Sequence, residues 1–129
     1  MAILGIDYGQ KKIGLALAVS AVAEPFAVIR VKKSEGIFPR LKKIIDEEKV
    51  ERVVVGVSEG EMAEKSKIFA KKLAEISGLK VDLEDETLTS RDAQALAIKA
   101  GISRKRRKKL EDAFSASLIL QKYLDTQGF

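Results

Sequence analysis

The residues of this chain best suited to chemistry are carboxylates that end apolar stretches. In Gly5-Ile6-Asp7-Tyr8-Gly9-Gln10-Lys11-Lys12-Ile13-Gly14-Leu15-Ala16, an acid closes a short apolar run and two lysines follow at a turn. An Asp at the end of a buried strand is costly unless its charge is paired or coordinates a metal. Gly9 lets the backbone turn tightly beside it, and Gly14 permits close approach in the strand that follows. Lys11 and Lys12 are placed to meet phosphate. A hairpin with a solvated Asp and two surface lysines satisfies the same pattern, since Asp-x-Gly turns are common. A second acidic stretch, Glu84-Asp85-Glu86-Thr87, follows directly on the alternating segment Leu79 to Leu83. Strand alternation puts Glu84 and Glu86 on one side and Asp85 on the other, at the carboxyl end of a strand, where open α/β sheets bind ligands. An acidic loop that favours the dipole of a following helix is the plainer alternative. The third candidate is Asp112, expected in the first turn of the last helix. A dipole or capping role explains an acid there, yet Glu111 supplies that charge too, and Leu110, Ala113 and Phe114 bring the turn close to the core.

What is missing narrows the chemistry. The chain has 129 residues with no His, Cys or Trp. Without Cys there is no disulfide framework, thiolate nucleophile or thiolate-ligated zinc. Without His, Ser–His–Asp and Cys–His catalysis and imidazole metal sites are excluded. Carboxylates, lysines, hydroxyls, backbone dipoles or a hard metal ion must then do any catalytic work. Three carboxylates from two strands and a helix fit one or two Mg²⁺ or Mn²⁺ ions, which take oxygen ligands. Two such ions about 3.5–4 Å apart clamp both oxygens of an in-line phosphodiester displacement. Catalytic and metal-ligand candidates are therefore the same acids: Asp7, the Glu84-Asp85-Glu86 stretch and Asp112.

Beside Asp112 stands Arg104-Lys105-Arg106-Arg107-Lys108-Lys109, six consecutive cations that exceed the whole formal net charge of +5, so the rest of the chain is nearly balanced. Such a cluster is an electrostatic footprint for nucleic acid. A solvated loop or an anionic membrane surface would also accommodate it, but the adjacent acids make sense of a phosphodiester substrate. With Lys11 and Lys12, these six form the candidate nucleic-acid-binding set. Contacts of this kind hold the phosphate backbone without reading sequence. No apolar run approaches the roughly 20 residues that span a bilayer. Met1 to Asp7 has no basic n-region and reads as a strand, so neither a membrane partner nor a signal peptide is expected, and the cytoplasm is the expected location.

The elements that must position these residues follow from periodicity. At 46% hydrophobic and 33% charged residues, one packed domain over residues 1–129 is expected. Ala2 to Asp7 and Ile13 to Val19 read as a hairpin, and Phe26 to Val31 as a third antiparallel strand. Ile37, Leu41, Ile44, Ile45 and Glu48 recur at helical spacing. Arg52 to Val57 is the continuous branched run of a strand covered on both faces. Glu61 to Ser77 reads as an amphipathic helix with Met62, Phe69, Leu73 and Ile76 inward and Gly78 as its C′ residue. After the strand Leu79 to Leu83, helices are expected over Ser90 to Ala100, capped by Thr89 or Ser90, and from about Leu110 to Leu124, with the basic run between them. The order βββ-αβ-αβ-αα makes an α/β fold, a mixed sheet with helices on its faces.

Taken together, these segments resemble the YqgF (RuvX) family of Holliday-junction resolvase-like nucleases in the ribonuclease H-like superfamily. Gly5 to Ala16 resembles its Gly-x-Asp-x-Gly-x-x-Arg-Ile-Gly-x-Ala signature, and Val53-Val54-Val55-Gly56 its central strand. Asp85-Glu86-Thr87-Leu88-Thr89-Ser90 resembles its Asp-Glu-Arg-Leu-Thr-Thr segment, and Asp112 to Leu124 its closing helix with a Leu-Gln-x-Tyr-Leu end. The resemblance implies a ribonuclease H-like, five-stranded mixed sheet whose first three strands are antiparallel, with acidic site residues at Asp7, Glu86 and Asp112. It implies a metal-dependent nuclease acting in 5′-end processing of the small-subunit ribosomal RNA precursor, with junction resolution on branched DNA as a further activity. Structured RNA or branched DNA is then the partner of a monomer or homodimer. Three positions depart from the pattern. Lys12 stands for Arg, Thr87 for Arg, and Val57-Ser58-Glu59-Gly60-Glu61 for a Leu-Pro and glycine-containing loop. They keep a second expectation open: a non-catalytic nucleic-acid-binding ribosome-assembly or transcription factor on an inactive nuclease fold.

Overall fold

Along Ile13-Gly14-Leu15-Ala16-Leu17-Ala18 large and small residues alternate, and a strand turns that alternation into two unlike faces. The computed structural model describes residues 2–31, 36–58, 60–85 and 104–127, with side chains in the last segment from 111 onward. Over these residues the elements are β1 (Ala2–Asp7), β2 (Lys12–Ala18), β3 (Glu24–Arg30), α1 (Ile37–Glu47), β4 (Val50–Val57), α2 (Glu61–Ser77), β5 (Lys80–Asp85) and α3 (Arg104–Gln127). The strands form one sheet in the order β3-β2-β1-β4-β5. The pairs β1–β2 and β2–β3 are antiparallel, whereas β1–β4 and β4–β5 are parallel. This is the mixed five-stranded sheet that the segment order predicts.

The large-residue face carries α1 and α2. Leu4, Ile6, Ile13, Leu15, Val53 and Val55 pack there with Leu41, Ile45, Phe69 and Leu73. On the other face Ile3, Ala16, Ala18 and Val54 meet Ala116, Ile119, Leu120, Tyr123 and Leu124 of α3. The run Val53-Val54-Val55 is divided between the two cores, so it shows no alternation in sequence. Glycine and alanine on β1 and β2 let α3 lie close against the sheet, as its own small residues Ala113 and Ala116 also require.

Some boundaries differ from expectation, each for a physical reason. Helix α3 begins at Arg104 rather than near Leu110. Arg and Lys are good helix formers, and neither Gly nor Pro interrupts the chain from there to Gln127. The backbone of the basic run is thus helical, and Asp112 lies in the third turn, beyond the reach of an N-terminal dipole. In α2 the buried residues are Ser66, Phe69, Ala70 and Leu73. Helical phase centres that stripe between Ser66 and Leu73 and leaves Ile76 just beyond its Phe69 edge, 43% exposed instead of inward. Gly78 does end α2, in the left-handed conformation, with its N–H bonded to the Ala74 carbonyl. Strand β3 starts at Glu24-Pro25, which an edge strand tolerates, and β5 runs on to Asp85, so Glu84 and Asp85 are strand residues. The helix expected over Ser90–Ala100 lies outside the described residues.

Candidate active site

Strand register and helix packing bring two of the three predicted acidic residues to one end of the sheet. Asp7, the last residue of β1, is the direct partner of Gly14 on β2. Ile3, Gly5 and Asp7 alternate onto the face covered by α3, as do Gly14, Ala16 and Ala18 opposite them. A Cβ on Gly14 would overlap the Asp112 carbonyl and stand 2.9 Å from the Ala113 nitrogen. One on Gly5 would stand 2.7 Å from Leu120 Cβ. The helix backbone at Asp112 therefore rests on the residue facing Asp7. Residues so paired have Cα atoms about 4.5–5.5 Å apart, which puts Asp7 and Asp112 at one end of the sheet; both are half-buried. Tyr8, next to Asp7, turns to the opposite face and stacks on Phe69 with ring centroids 4.4 Å apart, anchoring the chain just past the acid.

Polar contacts fix α3 along its length, and sequence reasoning missed most of them. Gln121 Oε1 accepts from the Ala23 N–H at 2.9 Å while its Nε2 donates to the Ala21 carbonyl at 2.9 Å, joining the helix to the β2–β3 loop. Tyr123, 2% exposed, donates its O–H to Asp82 and accepts from Arg52 Nη1 at 2.9 Å, which ties α3 to β4 and β5. Burial and the bond to Asp82 push the Tyr123 hydroxyl above its ordinary pKa, against the opposing pull of Arg52. Lys122 Nζ lies 3.1 Å from the Asp85 carbonyl oxygen and 3.7 Å from Glu84 Oε1, so Glu84 serves to hold the end of β5. The Leu-Gln-x-Tyr-Leu ending was the available signal for Gln121 and Tyr123; Lys122, between them, carried none.

Glu86 and Thr87 lie outside the described residues, immediately after β5. Among the described residues no three acidic side chains gather as a metal-binding group. What is present suits a hard cation: two half-buried acidic residues at one end of the sheet, in a chain with no imidazole or thiolate to compete. Lys11 and Lys12 are exposed at the β1–β2 turn, on the same end of the sheet. Arg104–Lys109 form the first turns of the helix that carries Asp112. None of the helices is long and apolar enough to cross a membrane, among the described residues.

Solved structures share this fold. RuvC of T. thermophilus, solved in complex with a Holliday junction substrate, superposes with a TM-score of 0.66 at 18% identity, covering 99% of this chain and 96% of that one. The Fowlpox virus resolvase, solved with its substrate Holliday junction DNA, gives 0.67 at 16% identity, covering 98% and 99%. At the level of sequence, a family model described as "RuvX: Holliday junction resolvase" matches residues 1–126. The chain belongs to that family. A protein of Oenococcus oeni named "Putative pre-16S rRNA nuclease" is 39% identical over 139 residues, covering 99% of this chain and 96% of its own length. One of the same name from Streptococcus pneumoniae is 40% identical over 136 residues, covering 97% and 98%.

Proposed function

We propose that this chain is a divalent-metal-dependent nuclease that hydrolyses phosphodiester bonds in structured RNA, and that its work is 5′-end processing of the small-subunit ribosomal RNA precursor. The observation that carries the reading is the seat of the Asp112 backbone on Gly14, the ladder partner of Asp7: two acidic residues remote in sequence meet at one end of the sheet, in a chain with no His or Cys. The name borne by relatives that match nearly end to end supports ribosomal RNA as the substrate.

In this reading Asp7, Glu86 and Asp112 hold one or two Mg²⁺ or Mn²⁺ ions. When bound, such an ion supplies a nucleophilic water at neutral pH and neutralises charge developing on the phosphoryl oxygens. The chain itself does the rest. Asp7 is held by the β1–β2 ladder and by the Tyr8 stack behind it, and Asp112 by a helix fastened at Gln121 and Tyr123. Little reorganisation is then needed to present both carboxylates. Lys11, Lys12 and Arg104–Lys109 hold backbone phosphate, which orients the strand without reading its bases.

The test is cleavage of end-labelled ribosomal RNA precursor and of a four-way DNA junction, with Mg²⁺, Mn²⁺ or EDTA, by the parent protein and Asp7→Asn. The expected outcome is metal-dependent cleavage of the RNA, reduced at least a thousandfold in Asp7→Asn while RNA binding stays within about threefold. Cleavage confined to the DNA junction would replace the RNA role with junction resolution. Salt-sensitive binding with no cleavage by the parent would overturn the nuclease reading in favour of a non-catalytic assembly factor.

A further inference from the structure

The reading above uses Lys12 but not the cation that faces it across the sheet. Lys12 on β2 and Arg30 on β3 are direct partners in the antiparallel ladder, and both are exposed. Like charges directly opposite each other destabilise a sheet. Among the described residues neither has a carboxylate within ion-pair distance. A third cation, Arg40, lies against the backbone of the same hairpin end. The Lys11 carbonyl accepts from the Val31 N–H at 2.9 Å, extending the same hairpin end, and Arg40 Nη1 lies 3.4 Å from the Arg30 carbonyl oxygen.

Register locates this pair. Ile13 and Ile29, the ladder partners next to it, pack into the core under α1 and α2. Alternation therefore puts Lys12 and Arg30 on the opposite face, the one shared by Gly14, Asp7 and α3. Lys12 stands two residues from Gly14, about 7 Å along the strand, and Gly14 is the residue on which Asp112 rests. Arg30 is one strand further out in the same row. Two cations without an ion pair among the described residues thus stand beside Asp7 and Asp112 and lead away from them along the end of the sheet.

We propose that Lys12 and Arg30 form a phosphate clamp for the nucleic-acid strand, gripping the backbone next to the phosphodiester held at Asp7 and Asp112. This rests on the nuclease reading and adds Arg30 to it. Lys12 contributes a compact charge, whereas the planar guanidinium of Arg30 contributes two parallel N–H donors that match a phosphate edge. A phosphate between them converts the cross-strand repulsion of the free protein into attraction. The free sheet is therefore less stable with both cations than with one neutralised, whereas the phosphate-bound sheet is more stable with both.

That opposition of sign makes the clamp testable. The variants are Arg30→Gln, Arg30→Lys, Lys12→Gln and the Arg30→Gln/Lys12→Gln double substitution. Fluorescence anisotropy would follow their binding to labelled hairpin and single-stranded RNA between about 50 and 200 mM salt, with a thermal melt of each free protein alongside. Arg30→Gln is expected to bind three- to tenfold more weakly and to melt no lower than the parent. The slope of log affinity against log salt should become shallower by about 0.7–0.9, the value of one lost phosphate contact. Arg30→Lys, which keeps the charge without the fork, should recover the slope but only part of the affinity. An Arg30→Gln protein with the parent's affinity and slope would overturn the clamp while leaving the nuclease reading intact. Weaker binding with an unchanged slope and a lower melting temperature would show a structural role and overturn it too. Failure of the parent itself to bind either RNA, or DNA of the same form, would overturn both.

Discussion

Gly14 shows how a single missing side chain can set the geometry of a site. Its Cα is the surface on which the Asp112 backbone rests, and any Cβ would overlap a carbonyl group that has no flexible end to swing aside. Gly14→Ala therefore has to lift α3 off the hairpin at the one point where Asp112 approaches Asp7. Overpacking costs about 1–3 kcal/mol where the neighbours can adjust, and a backbone neighbour puts this case at the upper end. A fall in melting temperature of at least about 4 °C is expected. Cleavage should fall further than stability does, by tenfold or more under conditions where the variant is fully folded. Calorimetry beside a cleavage assay checks both, and parent-like values in each would remove Gly14 from the argument. The glycine was visible in the sequence as a site of close approach, but its partner, 98 residues away, was not.

At the scale of the element, α3 is the arm that presents Asp112, and its position depends on the polar contacts near its far end. Tyr123 joins it to Asp82 and Arg52. Tyr123→Phe removes the shared hydroxyl and leaves both partners without it, which should cost about 1–3 kcal/mol, readable as a shift in the urea midpoint. The same hydroxyl gives a pH signature. Its pKa is raised in the folded protein, by burial first and by the bond to Asp82 second. The stabilisation it provides is thus fully present below the unfolded value of about 10 and is lost as pH rises through the folded one. Urea midpoints measured from pH 8 to pH 11 should show a decline above about pH 10 in the parent that is smaller in Tyr123→Phe. Equal declines in the two proteins would show that another group titrates. Lys122, one residue earlier, links the same helix to the carbonyl of Asp85, so the strand that leads to Glu86 and the helix that carries Asp112 are fastened to each other.

For the whole molecule the deciding feature is where the charge lies. The net charge of +5 is less than the six cations of Arg104–Lys109, so the chain without them is close to neutral. Six positive charges at the start of a helix oppose its dipole. Replacing all six with Gln should leave the melting temperature unchanged or slightly raised. Affinity for RNA at about 100 mM salt should drop at least tenfold, with a clearly shallower salt dependence, since each phosphate contact contributes about 0.7–0.9 to the slope. Filter binding over a salt series checks this, and unchanged affinity would exclude the first turns of α3 from the interface.

Chain-local information was enough for much of this protein. The acid closing β1, the turn glycine, the large–small alternation of β2 and the branched run of β4 express strand geometry directly, because a strand's two faces are written in consecutive residues. The absence of His and Cys limited the chemistry to oxygen ligands before any fold was known. Boundaries were harder: α3 extends over the basic run because propensity continues where charge had implied a loop, and Ile76 falls outside a stripe centred between Ser66 and Leu73. The meeting of Asp7, Gly14 and Asp112, and the facing of Lys12 and Arg30, could not be read along the chain at all. Cross-strand register and helix seating join residues far apart in sequence, and which residues they join is settled only when both cores pack at once against the two faces of the sheet.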